Sequence, residues 1–249
     1  MKFYLILIFV TSLELFSGSL TTFHEANANY RNGEFEKAAE LYESLVFEGY
    51  ESVGIYHNLG NSYYKTGDVA RAIVNYERAL KLSPGDRDIL ENLNIVRFSL
   101  IDKTEEEQEV SFFTFYSDLK KFFNIHSAQN FFYHIMLFTA IAISACILLK
   151  NTVLNKLLSV ICIISIILLA FSSMLYYDIH QSHFKKEGII SQQKVAVLSS
   201  PYETPGSDVQ FFLHLGTKAS ILRSNKEWVE ISLGKDKRGW IKKDHIIEI

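Results

Sequence analysis

Apolar and polar residues between positions 56 and 84 follow the pattern of two consecutive amphipathic helices. The first helical pattern continues until Gly67, where a glycine and an aspartate break the run. The second continues until Pro84, which cannot extend a helix. The small residues Gly60 and Ala72 allow two helix backbones to approach closely. The pattern therefore predicts a helical hairpin, which needs neighbouring elements to bury both of its faces.

A shift of about 34 residues superimposes an upstream segment on this hairpin. The shift pairs identical residues, namely Gly33 with Gly67, Ala38 with Ala72 and Tyr42 with Tyr76. The hairpin resembles the tetratricopeptide repeat family at Tyr56, Leu59, Gly60, Tyr63, Ala72, Tyr76, Ala79 and Pro84. The upstream copy is degenerate, and the segment DRDILENLNIVRF after Pro84 predicts a terminal capping helix. We expect a tetratricopeptide array with its capping helix over residues 20–100.

Two long apolar segments, residues 131–149 and 157–177, contain no charged residue. Each is long enough to cross a bilayer, and the second has no polar face, which argues against a buried core helix. The short loop between them, residues 150–156, contains two lysines and no acidic residue, which favours the cytoplasmic side. The sequence therefore predicts a transmembrane helical hairpin whose outer ends lie outside the cytoplasm.

Residues 1–19 have the layout of a secretory signal peptide, with a lysine, an apolar run and then small residues. Cleavage is expected near Ser19, and Glu14 leaves an uncleaved anchor as the alternative. Export of the segment that follows agrees with the cytoplasmic placement of the lysine loop. We expect both the N-terminal and the C-terminal domains to lie outside the cytoplasm.

Residues 101–130 form an acidic and aromatic linker between the repeats and the membrane. The acidic run TEEEQE is typical of a solvated tether. The aromatic segment SFFTFYSDLKKFF has two interpretations that the pattern leaves open. It is either an interfacial helix at the bilayer surface or a helix that closes the hydrophobic end of the repeat array.

Residues 188–249 change to short alternating runs separated by turn signals, which predicts a small all-β domain. The order of three short motifs resembles the bacterial SH3-like domain, and these motifs are Leu215-Gly216-Thr217, Trp228 and Gly239-Trp240-Ile241. Trp228 and Trp240 are the candidate residues of an SH3-like groove. Packing into the core is the favoured alternative for both, because aromatic strand residues usually pack inward, and Trp240 is the better groove candidate of the two.

Charge and cysteine content argue against several functions. The formal net charge of −3 gives no basic footprint for nucleic acid. The two cysteines, Cys146 and Cys162, lie inside the apolar segments and are poor candidates for a disulfide, a zinc site or a thiol nucleophile. His180 and His183 lack a third metal ligand, and the sequence contains no phosphate-binding loop. We expect a protein that is not an enzyme and that has no cofactor and no metal site.

The tetratricopeptide resemblance implies that the first helix of each repeat lines a concave surface. The candidate partner-binding residues on that surface are Asn27, Tyr30, Arg31, His57, Asn58, Asn61, Tyr64 and Lys65. Asparagine can donate to and accept from a peptide backbone, and arginine or lysine can bind a carboxylate. The alternative is that the tyrosines are half-buried packing residues with solvated neighbours.

Together these patterns predict a multidomain membrane protein with an α-helical tetratricopeptide array, a transmembrane hairpin and a small all-β SH3-like barrel. This order of domains resembles the BatE-type proteins of the Bat aerotolerance group. The resemblance implies a periplasmic scaffold that works beside membrane proteins with von Willebrand A-type domains, other Bat proteins and a MoxR-type ATPase, in oxygen tolerance or envelope stress. The alternative is a cell-wall sensor whose SH3-like domain binds peptidoglycan.

Overall fold

The computed structural model describes residues 19–98, 100, 111–148, 152–201, 208–234 and 237–249. The predicted signal peptide, except for Ser19, and the acidic run TEEEQE lie outside the described residues. The chain divides into two compact units. The first contains the helical repeats and the C-terminal sheet, and the second contains residues 81–85 and 107–185.

Five helices form the repeat array in the first unit. They are α1 over residues 19–31, α2 Phe35–Phe47, α3 Val53–Thr66, α4 Val69–Leu82 and α5 Arg87–Phe98. Gly33 and Gly67 follow α1 and α3 with φ angles of 83° and 86°, a left-handed conformation that glycine adopts without steric cost. The Ser52 hydroxyl caps α3 by accepting a hydrogen bond of 3.1 Å from the backbone N–H of Ile55.

Close packing of α3 against α4 depends on Gly60. A Cβ atom at this position would lie 2.8 Å from the ring of Tyr76 and 3.3 Å from the carbonyl oxygen of Ala72. Tyr76 and its counterpart one repeat earlier, Tyr42, are both buried in the core of the array. The predicted helical repeat with small residues at the helix contact is therefore confirmed.

The C-terminal domain of the first unit is a seven-stranded antiparallel sheet with the order β3-β2-β6-β5-β4-β1-β7. Its strands are β1 Glu187–Ile190, β2 Lys194–Leu198, β3 Val209–His214, β4 Lys218–Ser224, β5 Trp228–Leu233, β6 Lys237–Lys242 and β7 Ile246–Glu248. One face carries an aliphatic core that includes Val195, Val229, Ile231 and Ile241. This architecture is consistent with the predicted SH3-like barrel.

The repeats and the sheet contact each other within the first unit. Gly216, in the turn between β3 and β4, packs against Leu100 and Ile73, and a Cβ atom there would lie 2.4 Å from Leu100 Cδ1. Arg78 of α4 donates a hydrogen bond of 2.8 Å to the backbone carbonyl of Glu248 in β7. The array and the sheet are therefore packed parts of one compact unit.

The second unit contains three helices, α6 Ser111–Lys120, α7 Ile125–Leu148 and α8 Thr152–Phe184. Two of them, α7 and α8, are long and apolar enough to cross a membrane. Only 11 % of the most apolar 18-residue stretch of each helix is buried. They pack antiparallel, since Phe132 stacks on Tyr176 at 5.8 Å and Thr139 Oγ1 lies 3.3 Å from the carbonyl oxygen of Ser165. α7 begins before the predicted apolar segment, and α8 extends beyond both ends of its own, so residues 152–156 of the predicted loop belong to α8.

Candidate partner-binding groove

The array contains a small cavity lined by residues of α1, α3, α4 and α5. Its lining consists of Tyr30, Asn61, Tyr64, Lys65, Tyr76, Asn92 and Ile95. The volume of about 210 Å³ is smaller than the roughly 300–1,000 Å³ of typical small-molecule sites. A cavity of this size accommodates one side chain of a longer ligand that lies along the surface. We refer to these seven residues and the exposed surface around them as the groove.

In each of the two repeats, a buried tyrosine holds an asparagine of the first helix. The hydroxyl of Tyr42 donates a hydrogen bond of 2.6 Å to Asn27 Oδ1, and the hydroxyl of Tyr76 donates one of 2.7 Å to Asn61 Oδ1. Each pair is 15 residues apart, so the interaction repeats with the array. The tyrosine hydroxyls are thereby satisfied, and the two asparagines are fixed in equivalent positions.

A second asparagine completes each of these networks. Asn58 Nδ2 donates to Asn27 Oδ1 at 2.9 Å, and Asn92 Nδ2 donates to Asn61 Oδ1 at 3.0 Å. An amide oxygen has two lone pairs, so both acceptor positions of Asn27 and of Asn61 are used inside the fold. The repeat pattern predicted that each asparagine would offer both a donor and an acceptor to a partner. Because both oxygens are engaged inside the fold, the Nδ2 donor is the chemistry that Asn27 and Asn61 retain for a ligand.

His57 extends the second network. Asn92 Nδ2 lies 2.9 Å from His57 Nε2, so the two N–H groups of Asn92 are shared between Asn61 and His57. His57 Nε2 must then carry a lone pair, which places the imidazole proton on Nδ1. Burial lowers the pKa of His57 below its usual 6.5, and the charges of Asp86 and Asp88 oppose that shift. The neutral ring is therefore the form that fits this network.

Positive charge and apolar surface lie beside the amide groups. Lys65 lines the cavity and is exposed, and Arg31 occupies the equivalent position of the first repeat on the surface of α1. Tyr64 and Ile95 are exposed apolar residues of the lining. Tyr30 is half-buried against Phe35, with an edge-to-face ring contact at 5.2 Å. The surface thus combines hydrogen-bond donors, a cation and apolar contacts.

The structure brings four of the eight predicted residues together in the lining, namely Tyr30, Asn61, Tyr64 and Lys65. Asn27, Asn58 and His57 join the hydrogen-bond networks behind or beside it. Asn92, which lines the cavity and donates to Asn61, was not among the predicted residues. The signal was present, because Asn92 lies one repeat period after Asn58, as Asn61 lies one period after Asn27.

Trp228 and Trp240 lie on adjacent strands of the sheet. In the β5–β6 register, Trp228 is opposite Lys242 and Trp240 is opposite Glu230. Directly paired residues point to the same face, so both tryptophans lie on the face opposite the aliphatic core. Trp228 is nevertheless only 8 % exposed, whereas Trp240 is partly exposed. Trp228 was expected to pack into the core, and the structure buries it on the face of the sheet opposite the aliphatic core.

The remaining residues considered for chemistry lie in α7 and α8. Cys146 is in α7 and Cys162 in α8, and Cys146 Sγ lies 3.8 Å from the hydroxyl of Ser159. His180 packs against Tyr176 and Phe184 on the last turns of α8. Among the residues that the structure describes, no group of three or more histidine, cysteine or acidic side chains is arranged to hold a metal ion.

The hairpin of α3 and α4, which supplies most of the groove lining, matches a known repeat family. Residues 53–86 match the tetratricopeptide repeat. No curated protein matches the chain. The tetratricopeptide match supports a protein–protein interaction scaffold, and it covers the segment that provides Asn61, Tyr64 and Lys65.

Proposed function

We propose that the protein is a membrane-anchored scaffold that binds an extended segment of a partner protein in the groove. The observation that carries this proposal is the hydrogen-bonded network that fixes Asn61 and Asn92 in the groove lining, beside the exposed Lys65. A surface that is preorganised in this way loses little conformational freedom when a ligand binds. The protein then acts by binding rather than by catalysis.

The chemistry of the groove defines the segment that fits it. The Nδ2 group of Asn61 donates to a backbone carbonyl, and Lys65 pairs with an acidic side chain or a terminal carboxylate. Tyr64 and Ile95 cover an apolar side chain of the segment. The small cavity volume limits the contact to a short stretch of one extended chain.

The proposed location is the bacterial inner membrane, with the repeats and the sheet in the periplasm. Lys150, between α7 and α8, and Lys156, near the start of α8, favour the cytoplasmic side for this end of the hairpin. The contacts between the repeats and the sheet require both to lie on one side of the membrane. A hairpin of two spanning helices between them satisfies this requirement.

The proposed partners follow from the resemblance to BatE-type proteins. They are membrane proteins with von Willebrand A-type domains and other Bat proteins, in a complex for aerotolerance or envelope stress. The scaffold contributes two binding surfaces on one anchor, the groove and the SH3-like domain. Two modest contacts reinforce each other through effective concentration when a partner engages both.

A second candidate function is cell-wall sensing through the SH3-like domain. Its supporting observation is that Trp228 and Trp240 share the face of the sheet opposite the aliphatic core, where Trp240 is partly exposed. Sedimentation of the detergent-solubilised chain with purified peptidoglycan tests this candidate. Loss of sedimentation in a Trp240→Ala variant would favour the sensor over the scaffold.

Site-specific photo-crosslinking in native membranes tests the groove itself. A photoreactive phenylalanine analogue replaces Ile95 in the groove, and the control variant carries it at Phe47, an exposed apolar residue of α2 outside the groove lining. The proposal predicts a discrete crosslinked protein from position 95 and none from position 47. Equal crosslinking from both positions, or none from position 95, would contradict it.

A further inference from the structure

Helix α6 has an apolar stripe that is separate from the face it packs. Phe115, Leu119 and Phe122 follow the spacing of one helical face across α6 and the residues just after it. Phe115 is 67 % exposed and Phe122 is 82 % exposed. Asp118 and Lys121 form an exposed ion pair of 2.7 Å to one side of this stripe. The helix is therefore amphipathic, and two of the three apolar residues of this stripe, Phe115 and Phe122, are exposed while Leu119 is partly exposed.

The other face of α6 is fixed to the end of α8. Tyr116 packs against the buried cluster of Ala128, Leu175 and Ile179, and its ring meets Phe171 edge-on at 6.4 Å. Lys120 Nζ lies 3.1 Å from the carboxylate of Asp178. These contacts hold α6 beside the point where the apolar run of α8 ends and its polar residues begin.

The connection from α6 to α7 is equally well defined. Asn124 Oδ1 accepts a hydrogen bond of 2.9 Å from the backbone N–H of Ser127, and Ser127 Oγ accepts one of 2.9 Å from the N–H of Asn124. This reciprocal cap starts α7 directly after the aromatic residues Phe122 and Phe123. Phe123 packs against Phe131 at 5.5 Å, so the turn is packed onto the first span.

We propose that α6 is a third membrane element, an interfacial helix that lies in the headgroup region with Phe115, Leu119 and Phe122 in contact with acyl chains. The proposal rests on the membrane assignment of α7 and α8 but not on the groove. The contacts of α6 with Phe171 and Asp178 place it along the turns of α8 that also carry the exposed apolar residues Met174 and Tyr177. A lipid surface covers such a stripe without any partner protein, while Asp118 and Lys121 stay at the polar level.

This placement predicts a specific function for α6, which is to fix the orientation of the hairpin in the bilayer. A spanning helix alone is free to tilt, and aromatic and lysine residues at the interface restrict that freedom. The Lys120–Asp178 pair transmits the restriction from α6 to α8.

Fluorescence quenching of the full chain in lipid vesicles tests the proposal. Cys146→Ala and Cys162→Ala remove the native thiols, and single cysteines at positions 115, 121 and 168 then carry an environment-sensitive dye. Position 121 reports the polar side of the α6 region, and Leu168, exposed in α8, reports the membrane interior. Iodide in the buffer quenches water-exposed dyes, and lipids that carry a shallow nitroxide quench dyes near the headgroups.

The proposal predicts blue-shifted emission at position 115, strong quenching by the shallow nitroxide lipid and loss of iodide quenching relative to position 121. Iodide quenching at position 115 equal to that at 121 would overturn it. Protection from both quenchers at 115 would also overturn it, because a protein contact would then cover the stripe. Iodide quenching at 168 would instead overturn the membrane assignment on which the proposal rests.

Discussion

The ammonium group of Lys218 lies 2.9 Å from the carboxylate of Glu77, although 141 residues separate them in the chain. Lys218 is also 2.8 Å from the carboxylate of Glu187, and Arg97 donates a hydrogen bond of 2.6 Å to the second oxygen of Glu77. One nearly buried carboxylate thus links α4 and α5 of the repeats with β4 of the sheet. The sheet therefore packs on the repeats with a defined orientation.

Removal of either partner of this pair should destabilise the first unit. We expect Glu77→Ala to lower the free energy of unfolding by about 2–4 kcal/mol, because it leaves Arg97 and Lys218 without their shared partner. The side chain of Lys218 is 29 % exposed, which favours the lower part of that range. Urea unfolding of the detergent-solubilised chain measures the loss.

A double-mutant cycle identifies the pairwise contribution. The variants are Glu77→Leu, Lys218→Met and their combination, which removes both charges together. We expect the combined variant to be more stable than the sum of the single losses predicts, by about 1 kcal/mol or more. Strict additivity would contradict the link between repeats and sheet that this pair provides.

The Asn61–Tyr76 hydrogen bond predicts a difference between two simple variants. Tyr76→Phe removes the donor but leaves Asn61 bound to Asn92, so the expected cost is about 1 kcal/mol. Asn61→Ala leaves the buried hydroxyl of Tyr76 without its acceptor and should cost more, about 2–3 kcal/mol. Thermal unfolding compares the two, and Tyr42→Phe with Asn27→Ala repeats the test in the first repeat.

An equal cost for Tyr76→Phe and Asn61→Ala would show that the network does not hold Asn61 as described. The expected order also affects how the groove is tested. Because asparagine variants disturb buried tyrosines, they are poor probes of partner binding. The exposed residues Tyr64 and Lys65 are better probes.

Much of the fold could be predicted because its signals are local. The alternation around Gly60 and Tyr76 sets the helix contact, and the long apolar runs predict α7 and α8. The pairing of Glu77 with Lys218 could not be predicted, because neither residue lies in a pattern that refers to the other. Trp228 is an intermediate case, since strand alternation with Val229 in the core already places it on the opposite face.

Part of the groove could also be predicted. The repeat period located Asn61, Tyr64 and Lys65, and it would have located Asn92 if it had been applied to Asn58. The apolar pattern of α5 predicted a capping helix, and it does not indicate a role for the polar residue Asn92. The engagement of the asparagine oxygens depends on helix packing distances, which the sequence does not contain.

The neutral form of His57 predicts a pH dependence. Burial lowers the pKa of His57 in the folded protein, so the unfolded chain takes up a proton first as the pH falls below about 6.5. The stability that the neutral ring provides is present above that pH and decreases as the pH falls toward the lower folded pKa. Protonation also removes the acceptor for Asn92, so partner binding should weaken in the same direction.

His57→Gln is the matched variant for this prediction. Glutamine offers an oxygen acceptor to Asn92 and does not titrate. Between pH 7.5 and pH 5, the unfolding free energy of the wild type should decrease relative to that of His57→Gln as the pH falls. A difference that stays constant over this range would rule out the proposed role of His57.

Affinity capture of the tagged protein from mild-detergent membranes tests the central claim most directly. The groove variant carries Tyr64→Ala with Lys65→Ala, and the control carries Phe47→Ala with Lys37→Ala, which remove similar groups from α2. We expect the wild type and the control to retain a membrane protein with a von Willebrand A-type domain. The folded groove variant should bind it about tenfold more weakly or lose it. Equal retention of the same partner by all three proteins would contradict the groove as the binding surface.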